Sequence, residues 1–230
     1  MRHFFVWPSA KLDRAIECAK KWRAKGYEAC VGLDEPKHFP LHVDDKKHFD
    51  AVMWIKSWSG YYVHVNRLVD AAFLSGADLV TVGGDDQEPP SQGADQHTKH
   101  YFDRFPSGFG VMQCTGDRQG EVIDGRVNSE RICGSPTFGE EWNLRAFGGS
   151  GGFPEGFRSF YADELLMEVT QRLGLLYQEP LFSIDHVHWA FCRTQKQDYH
   201  DAASKNWDLD RGVFMGAKAQ NFKSYVDLFH

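Results

Sequence analysis

Asp85 and Asp86 follow a compact apolar stretch, Asp78 to Val82, from which they are separated by Gly83 and Gly84. Adjacent carboxylates at the end of a buried strand suit Mg²⁺ or Mn²⁺, which bridge them to the oxygens of a diphosphate. The two glycines let backbone and ligand approach closely. An acidic turn closing a strand is the plainer alternative, and the strand-Gly-Gly context favours the ligand reading. His186 and His188 flank Val187, so on a strand both side chains share one face. Neutral imidazole binds Mn²⁺ adequately, although a surface or core histidine pair has the same spacing. Asp163 opens an apolar-periodic helix, where the macrodipole keeps a carboxylate ionised and available as a general base. Asp is equally at home there as a cap or first-turn residue.

Other polar groups carry less. His97 and His100, with only Asp95 and Asp103 nearby, read as an exposed helix face. His38, His42 and His48 with Asp44-Asp45 read as a solvated loop. Trp142 and the cluster Phe153, Phe157, Phe160 and Tyr161 suit stacking on a sugar or base and suit a core equally. The run 148–152 lacks the Lys-Ser/Thr of a phosphate-binding P-loop, so it reads as a flexible lid or acceptor loop.

These residues need a scaffold, and the first half of the chain supplies its pattern. His3 to Pro8 is a short apolar run, followed by Leu12, Ala15, Ile16, Ala19 and Trp22 at helical spacing. Gly26 stops that helix, and Tyr27 to Leu33 reads as a strand ending at Asp34-Glu35-Pro36. Strand, helix and strand at this length make a βαβ unit with parallel strands. Residues 36–47 read as loop, 51–58 as an apolar run, and Val65, Leu68, Val69, Ala72 and Phe73 as one helix face closing at Gly76. The Pro- and Gln-rich stretch 87–93 reads as a loop.

The second half is less regular. Phe109 to Cys114 reads as a strand with a turn at Gly116-Asp117. Residues 134–156 hold seven glycines, too many for regular elements. Ala162, Leu165, Leu166, Val169 and Leu173 mark a helix ending at Gly174. Pro180 to Phe191 carries a strand pattern, and Phe222, Tyr225, Val226 and Phe229 suggest a C-terminal helix.

Composition narrows the class. The 230 residues suit a single α/β domain, and 42% hydrophobic content can bury a sizeable core. No stretch approaches the roughly 20 apolar residues of a membrane span, and the apolar run before Pro8 is too short for a signal peptide. Five scattered cysteines without CxxC spacing fit a reducing, cytoplasmic setting. The net charge of −6 argues against holding duplex nucleic acid mainly by phosphate neutralisation. Arg118, Arg126, Arg131 and Arg145 nevertheless lie near the expected acceptor region.

The order of these features resembles the GT-A glycosyltransferases, the family 2-like enzymes above all and their compact bacterial and bacteriophage forms. The resemblance runs from Val6-Trp7-Pro8-Ser9 through Asp34, the Asn66 helix and Gly84-Asp85-Asp86 to Asp163-Glu164 and His186-Val187-His188. It implies one Rossmann-like GT-A domain, with a mostly parallel sheet flanked by helices. Residues 1–90 would form the nucleotide-binding half and 91–230 the acceptor half. It implies a hexosyl- or N-acetylhexosaminyltransferase using a nucleotide-sugar donor, a UDP-sugar first, with Mn²⁺ or Mg²⁺.

By the same resemblance Pro8 and Ser9 line the nucleotide, Asp34 meets the base, Asn66 belongs to the nucleotide site and Asp85 meets the ribose. Asp86 holds the metal with His186, His188 serving as a further ligand or supporting it, and Asp163 is the base. Gly-Asp-Asp in place of a strict Asp-x-Asp leaves one side-chain carboxylate fewer, so metal affinity should be modest. The acceptor would be a glycan, a protein or a hydroxylated base in bacteriophage DNA. A sugar nucleotidyltransferase or metal phosphohydrolase would share the strand-end aspartates, but the Trp7-Pro8-Ser9-Ala10 loop lacks the Gly-rich, basic character of a nucleotidyltransferase. A nucleotide-sugar-binding module without catalysis is the non-enzymatic alternative.

Overall fold

The computed structural model describes residues 1–114, 122–123, 126–127, 132–149, 151–182, 184–187, 201 and 203–229. Its central strand, β1 (His3–Ser9), is buried along its whole length. It lies between two parallel neighbours, β2 (Glu28–Asp34) and β4 (Leu79–Val82). A strand covered on both faces reads as a continuous apolar run, which is the pattern of Phe4-Phe5-Val6-Trp7. Phe4 and Val6 enter one core with α4 (Tyr61–Leu74) and α7 (Ala162–Leu173). Phe5 and Trp7 enter the opposite core with α1 (Leu12–Arg23), where Phe5 stacks on Trp22.

β3 (Ala51–Ile55) continues the sheet beyond β2, in parallel. On the other side β9 (Pro136–Gly139) runs antiparallel to both β4 and β6 (Val111–Cys114). β10 (Leu176–Glu179) pairs in parallel with β6 at the edge. The order is β10-β6-β9-β4-β1-β2-β3. This is the expected α/β architecture, a mostly parallel sheet flanked by helices, with strands drawn from both sides of residue 90.

Several expectations need correcting. Residues 36–47 are not all loop: α2 (Glu35–His38) and α3 (Val43–Lys46) each form a single helical turn. Within 87–93, β5 (Gln87–Glu88) pairs antiparallel with β11 (Asp185–His186). The glycine-rich stretch 134–156 contains regular structure, β9 in the middle of the sheet and α6 (Glu140–Arg145) after it. Gly139 is required there because a Cβ would stand 2.8 Å from the Gly108 carbonyl oxygen. At the C-terminus the longer helix is α8 (Trp207–Ala219), which hydrophobic periodicity did not reveal, and α9 (Lys223–Val226) is one turn. Gly116-Asp117 and most of the region between β6 and β9 lie outside the described residues, apart from the paired backbones of β7 (Val122–Ile123) and β8 (Arg126–Val127).

His97, on α5 (Ala94–Arg104), is fully buried and not on an exposed face. Its Nδ1 meets the Tyr27 hydroxyl at 2.8 Å, and its Nε2 meets Thr137 Oγ1 and Cys114 Sγ, both at 3.2 Å. Thr137 reaches Thr81 at 2.6 Å, and Thr81 reaches His3 at 2.8 Å. Burial drives the His3 imidazole down to about 3 and His97 well below its ordinary value, so both rings are neutral. Each ring nitrogen therefore finds a partner within one buried network.

Candidate active site

The carboxyl ends of β1, β2 and β4 open into a cleft of about 550 Å³. In open α/β sheets this is where ligands bind. Pro8 and Ser9 reach it from β1, Asp34 from β2, and Asp85 and Asp86 from the turn after β4. That turn is tight because Gly83 and Gly84 carry no side chains. A Cβ on Gly83 would meet the Phe5 ring at 2.6 Å. The turn is tied down by Gly83 N–H donating to the Val6 carbonyl at 3.0 Å and by the Tyr61 hydroxyl donating to the Gly83 carbonyl at 2.8 Å.

The two aspartates face different partners. Asp85 Oδ2 accepts from the Ser9 hydroxyl at 2.6 Å, and Oδ1 lies 3.0 Å from the Arg14 guanidinium. Burial pushes the Asp85 carboxyl up, while Ser9 and Arg14 pull it down. Asp86 Oδ1 lies 3.3 Å from His186 Nε2. The β5–β11 pairing makes that contact possible, since it sets His186 opposite Gln87 and lets Val187 N–H donate to the Asp86 carbonyl at 2.8 Å.

Asp163 lines the same cleft from the second position of α7. Its Oδ1 accepts from the Glu164 N–H at 3.0 Å. Nearby, burial and then the Asp163 charge push the Tyr62 phenol well above its ordinary value, so it stays a neutral hydroxyl. Asp34 pairs with Lys37 at 2.7 Å. Asn66 does not line the cleft. Its amide donates to the Phe153 carbonyl at 2.9 Å and accepts from the Phe153 N–H at 3.0 Å, holding the glycine-rich segment against α4. His188 lies outside the described residues, as do the side chains of Arg118, Arg126 and Arg131.

Sequence reasoning missed several residues of the cleft and its wall. Trp58, half-exposed, and Tyr61 also line the cleft. Asp210 of α8 is fully buried and accepts from three successive backbone N–H groups, Arg158 at 2.9 Å, Ser159 at 2.7 Å and Phe160 at 2.9 Å. It thereby fixes the wall that presents Ser159 and Phe160 to the cleft just before Asp163. Nothing local in the sequence marks it, because its partners lie about 50 residues earlier.

The described residues contain no group of three or more His, Cys, Asp or Glu side chains able to cage a metal. Asp86 and His186 do fit an ion that completes its shell with diphosphate oxygens and water, the usual habit of Mg²⁺ at phosphate sites. His42 and Asp44, at the start of α3, are exposed, as expected of a solvated segment.

Comparison with solved structures agrees with this fold. The chain is similar to the 1–349 fragment of S. aureus TarS, with a TM-score of 0.56 at 13% identity. The alignment covers 80% of this chain and 59% of that one. The fold is of the GT-A type. The same TarS fragment in complex with UDP superposes with a TM-score of 0.52 at 13% identity, again over 80% of this chain and 59% of that one. A longer TarS structure gives 0.51 at 14% identity, over 80% of this chain and 36% of that one. The chain thus spans less than two thirds of the TarS structures that it matches. Its sequence matches no protein-family model and no curated protein. The GT-A fold explains why the cleft sits at the strand ends, and no helix among the described residues is long and apolar enough to cross a membrane.

Proposed function

We propose that the protein transfers a sugar from a nucleotide-diphosphate donor, a UDP-sugar first, to a hydroxyl-bearing acceptor. The observation that carries this reading is the convergence of the Asp86–His186 pair and Asp163 on one cleft at the strand ends. Residues 1–90 form the nucleotide side, with Pro8 and Ser9 along the nucleotide, Asp34 at the base and Asp85 at the ribose. The complex of TarS with UDP supports that choice of ligand.

Asp86 and His186 would hold Mn²⁺ or Mg²⁺, which neutralises a diphosphate leaving group when bound. Asp163 takes the proton of the acceptor hydroxyl as that oxygen bonds to the anomeric carbon. The bond from that carbon to the diphosphate oxygen breaks, and its electron pair leaves with the diphosphate. The neutral Tyr61 and Tyr62 hydroxyls line the site without competing for that proton, since burial pushes both phenols upward.

The test is nucleotide release from a panel of UDP-, GDP- and dTDP-sugars, with Mn²⁺, Mg²⁺ or a chelator, in the presence of glycan, peptide and hydroxymethylcytosine-oligonucleotide acceptors. Metal-dependent release of a nucleoside diphosphate is expected. Release of pyrophosphate from a nucleoside triphosphate and a sugar phosphate would instead identify a nucleotidyltransferase. Binding of a nucleotide sugar with no turnover would identify a binding module.

A further inference from the structure

Asp85 and Asp86 are sequence neighbours, yet among the described residues Asp86 meets an imidazole, His186, while Asp85 meets a guanidinium and a hydroxyl. Imidazole is a neutral nitrogen donor, whereas the Arg14 guanidinium beside Asp85 is a permanent cation without a lone pair to offer. Both oxygens of Asp85 are engaged, Oδ1 by Arg14 at 3.0 Å and Oδ2 by Ser9 at 2.6 Å. The Ser9 hydroxyl also lies 3.0 Å from the Lys11 carbonyl, but it has one proton. The shorter, charge-assisted bond to Asp85 takes it.

Arg14 is also unusual for its position. It is the third residue of α1, in the first turn, where the helix dipole disfavours a cation. The carboxylate of Asp85 offsets that cost across the turn after β4. The pair is also largely shielded, with side chains 23% and 9% exposed, so solvent screens it less than a surface ion pair.

We propose that Arg14 is a positioning residue that withholds Asp85 from the cation. Among the described residues the protein's ligands are thereby limited to Asp86 and His186, and tight cation binding depends on the donor's diphosphate. This rests on the metal-dependent reading above and adds to it a reason for a weak intrinsic site.

The experiment measures Mn²⁺ binding directly, by the loss of the free-ion electron paramagnetic resonance signal, with and without UDP. The wild-type protein is expected to bind Mn²⁺ weakly alone and more tightly with UDP. Arg14→Met frees Asp85 Oδ1 and should tighten UDP-independent binding on the order of tenfold, since ligand charge count sets affinity. Arg14→Lys, which keeps a cation there, should stay near wild type. The double variant Arg14→Met/Asp85→Asn should lose the gain, while Asp85→Asn alone leaves UDP-independent binding within about twofold. Circular dichroism and thermal melting establish that each variant is folded. Unchanged or weaker Mn²⁺ binding by a folded Arg14→Met overturns the inference, as does loss of binding in Asp85→Asn. Absence of Mn²⁺ binding in every variant, with UDP present, removes the metal reading itself and this inference with it.

Discussion

β1 begins in one polar cluster and ends in another. At its start, His3 enters the buried network of Thr81, Thr98, Thr137, His97, Tyr27 and Cys114. At its end, Ser9 reaches Asp85 beside the open cleft. The two clusters draw on similar residue types, yet the first is neutral and closed while the second is charged and faces space for a ligand. In the interior, burial removes the charge from both histidines and each nitrogen is matched by a hydroxyl or thiol. In the cleft, Asp85 and Asp86 stand at a strand end beside space for a ligand. Histidine, threonine and tyrosine therefore do not mark a functional site by type. Acidic and basic side chains beside an opening are what set the cleft apart.

Acid should separate the two regions most strongly. His3 has a folded pKa of about 3 against an ordinary 6.5, so between those values the unfolded chain binds a proton that the folded chain does not. Its contribution is therefore whole above pH 6.5 and falls as pH drops, by about 1.4 kcal/mol per unit for this one group. His97 acts in the same direction. Asp85 has the opposite sign, because its pKa is raised on folding and protonation relieves a buried charge. Urea unfolding between pH 7 and 4 should show steep loss of stability, flattened in His3→Gln. An unchanged slope in that variant would locate the acid sensitivity elsewhere.

Asp86→Ala probes the other cluster. It should lower Mn²⁺-dependent UDP binding and turnover by about 100-fold while shifting unfolding by less than about 1 kcal/mol. His97→Gln should show the reverse, with stability lost and UDP affinity kept in the protein that remains folded. A variant of either kind that moved both readouts equally would break the distinction.

Asp210→Asn tests the wall of the cleft. The substituted amide turns an N–H₂ toward donors that now share one carboxylate, leaving backbone N–H groups of 158–160 unmatched. A loss of about 2–3 kcal/mol in unfolding free energy is expected, with UDP binding retained, as read by denaturation and calorimetry. The smallest effect belongs to Lys37→Ala, at the exposed rim. Its pair with Asp34 is solvent-screened, so stability should change by less than about 1 kcal/mol.

The legible parts share a physical basis. β1, α1, β2, α4 and β4 follow from short-range periodicity, and a parallel βαβ arrangement dictates that Pro8, Ser9, Asp34, Asp85 and Asp86 meet at one edge of the sheet. His186 was legible as a candidate, but its approach to Asp86 depends on the two-residue pairing of β5 with β11. Asn66 was misplaced because helical position does not reveal which loop will pack against the helix. β9 was hidden by the glycine-rich stretch around it, in which Gly139 serves a close backbone passage and not an irregular loop.

Residue order alone settles the fold class and which strand ends border the cleft, because hydrophobic period is local and strand ends are where such sheets bind ligands. Tertiary structure decides the rest. It neutralises His97 by burying it, sends Arg14 to Asp85 and His186 to Asp86, and brings Asp210 from α8 to hold the wall before Asp163. Each of these depends on contacts between distant segments, whose partners and solvent exposure exist only once the chain has packed.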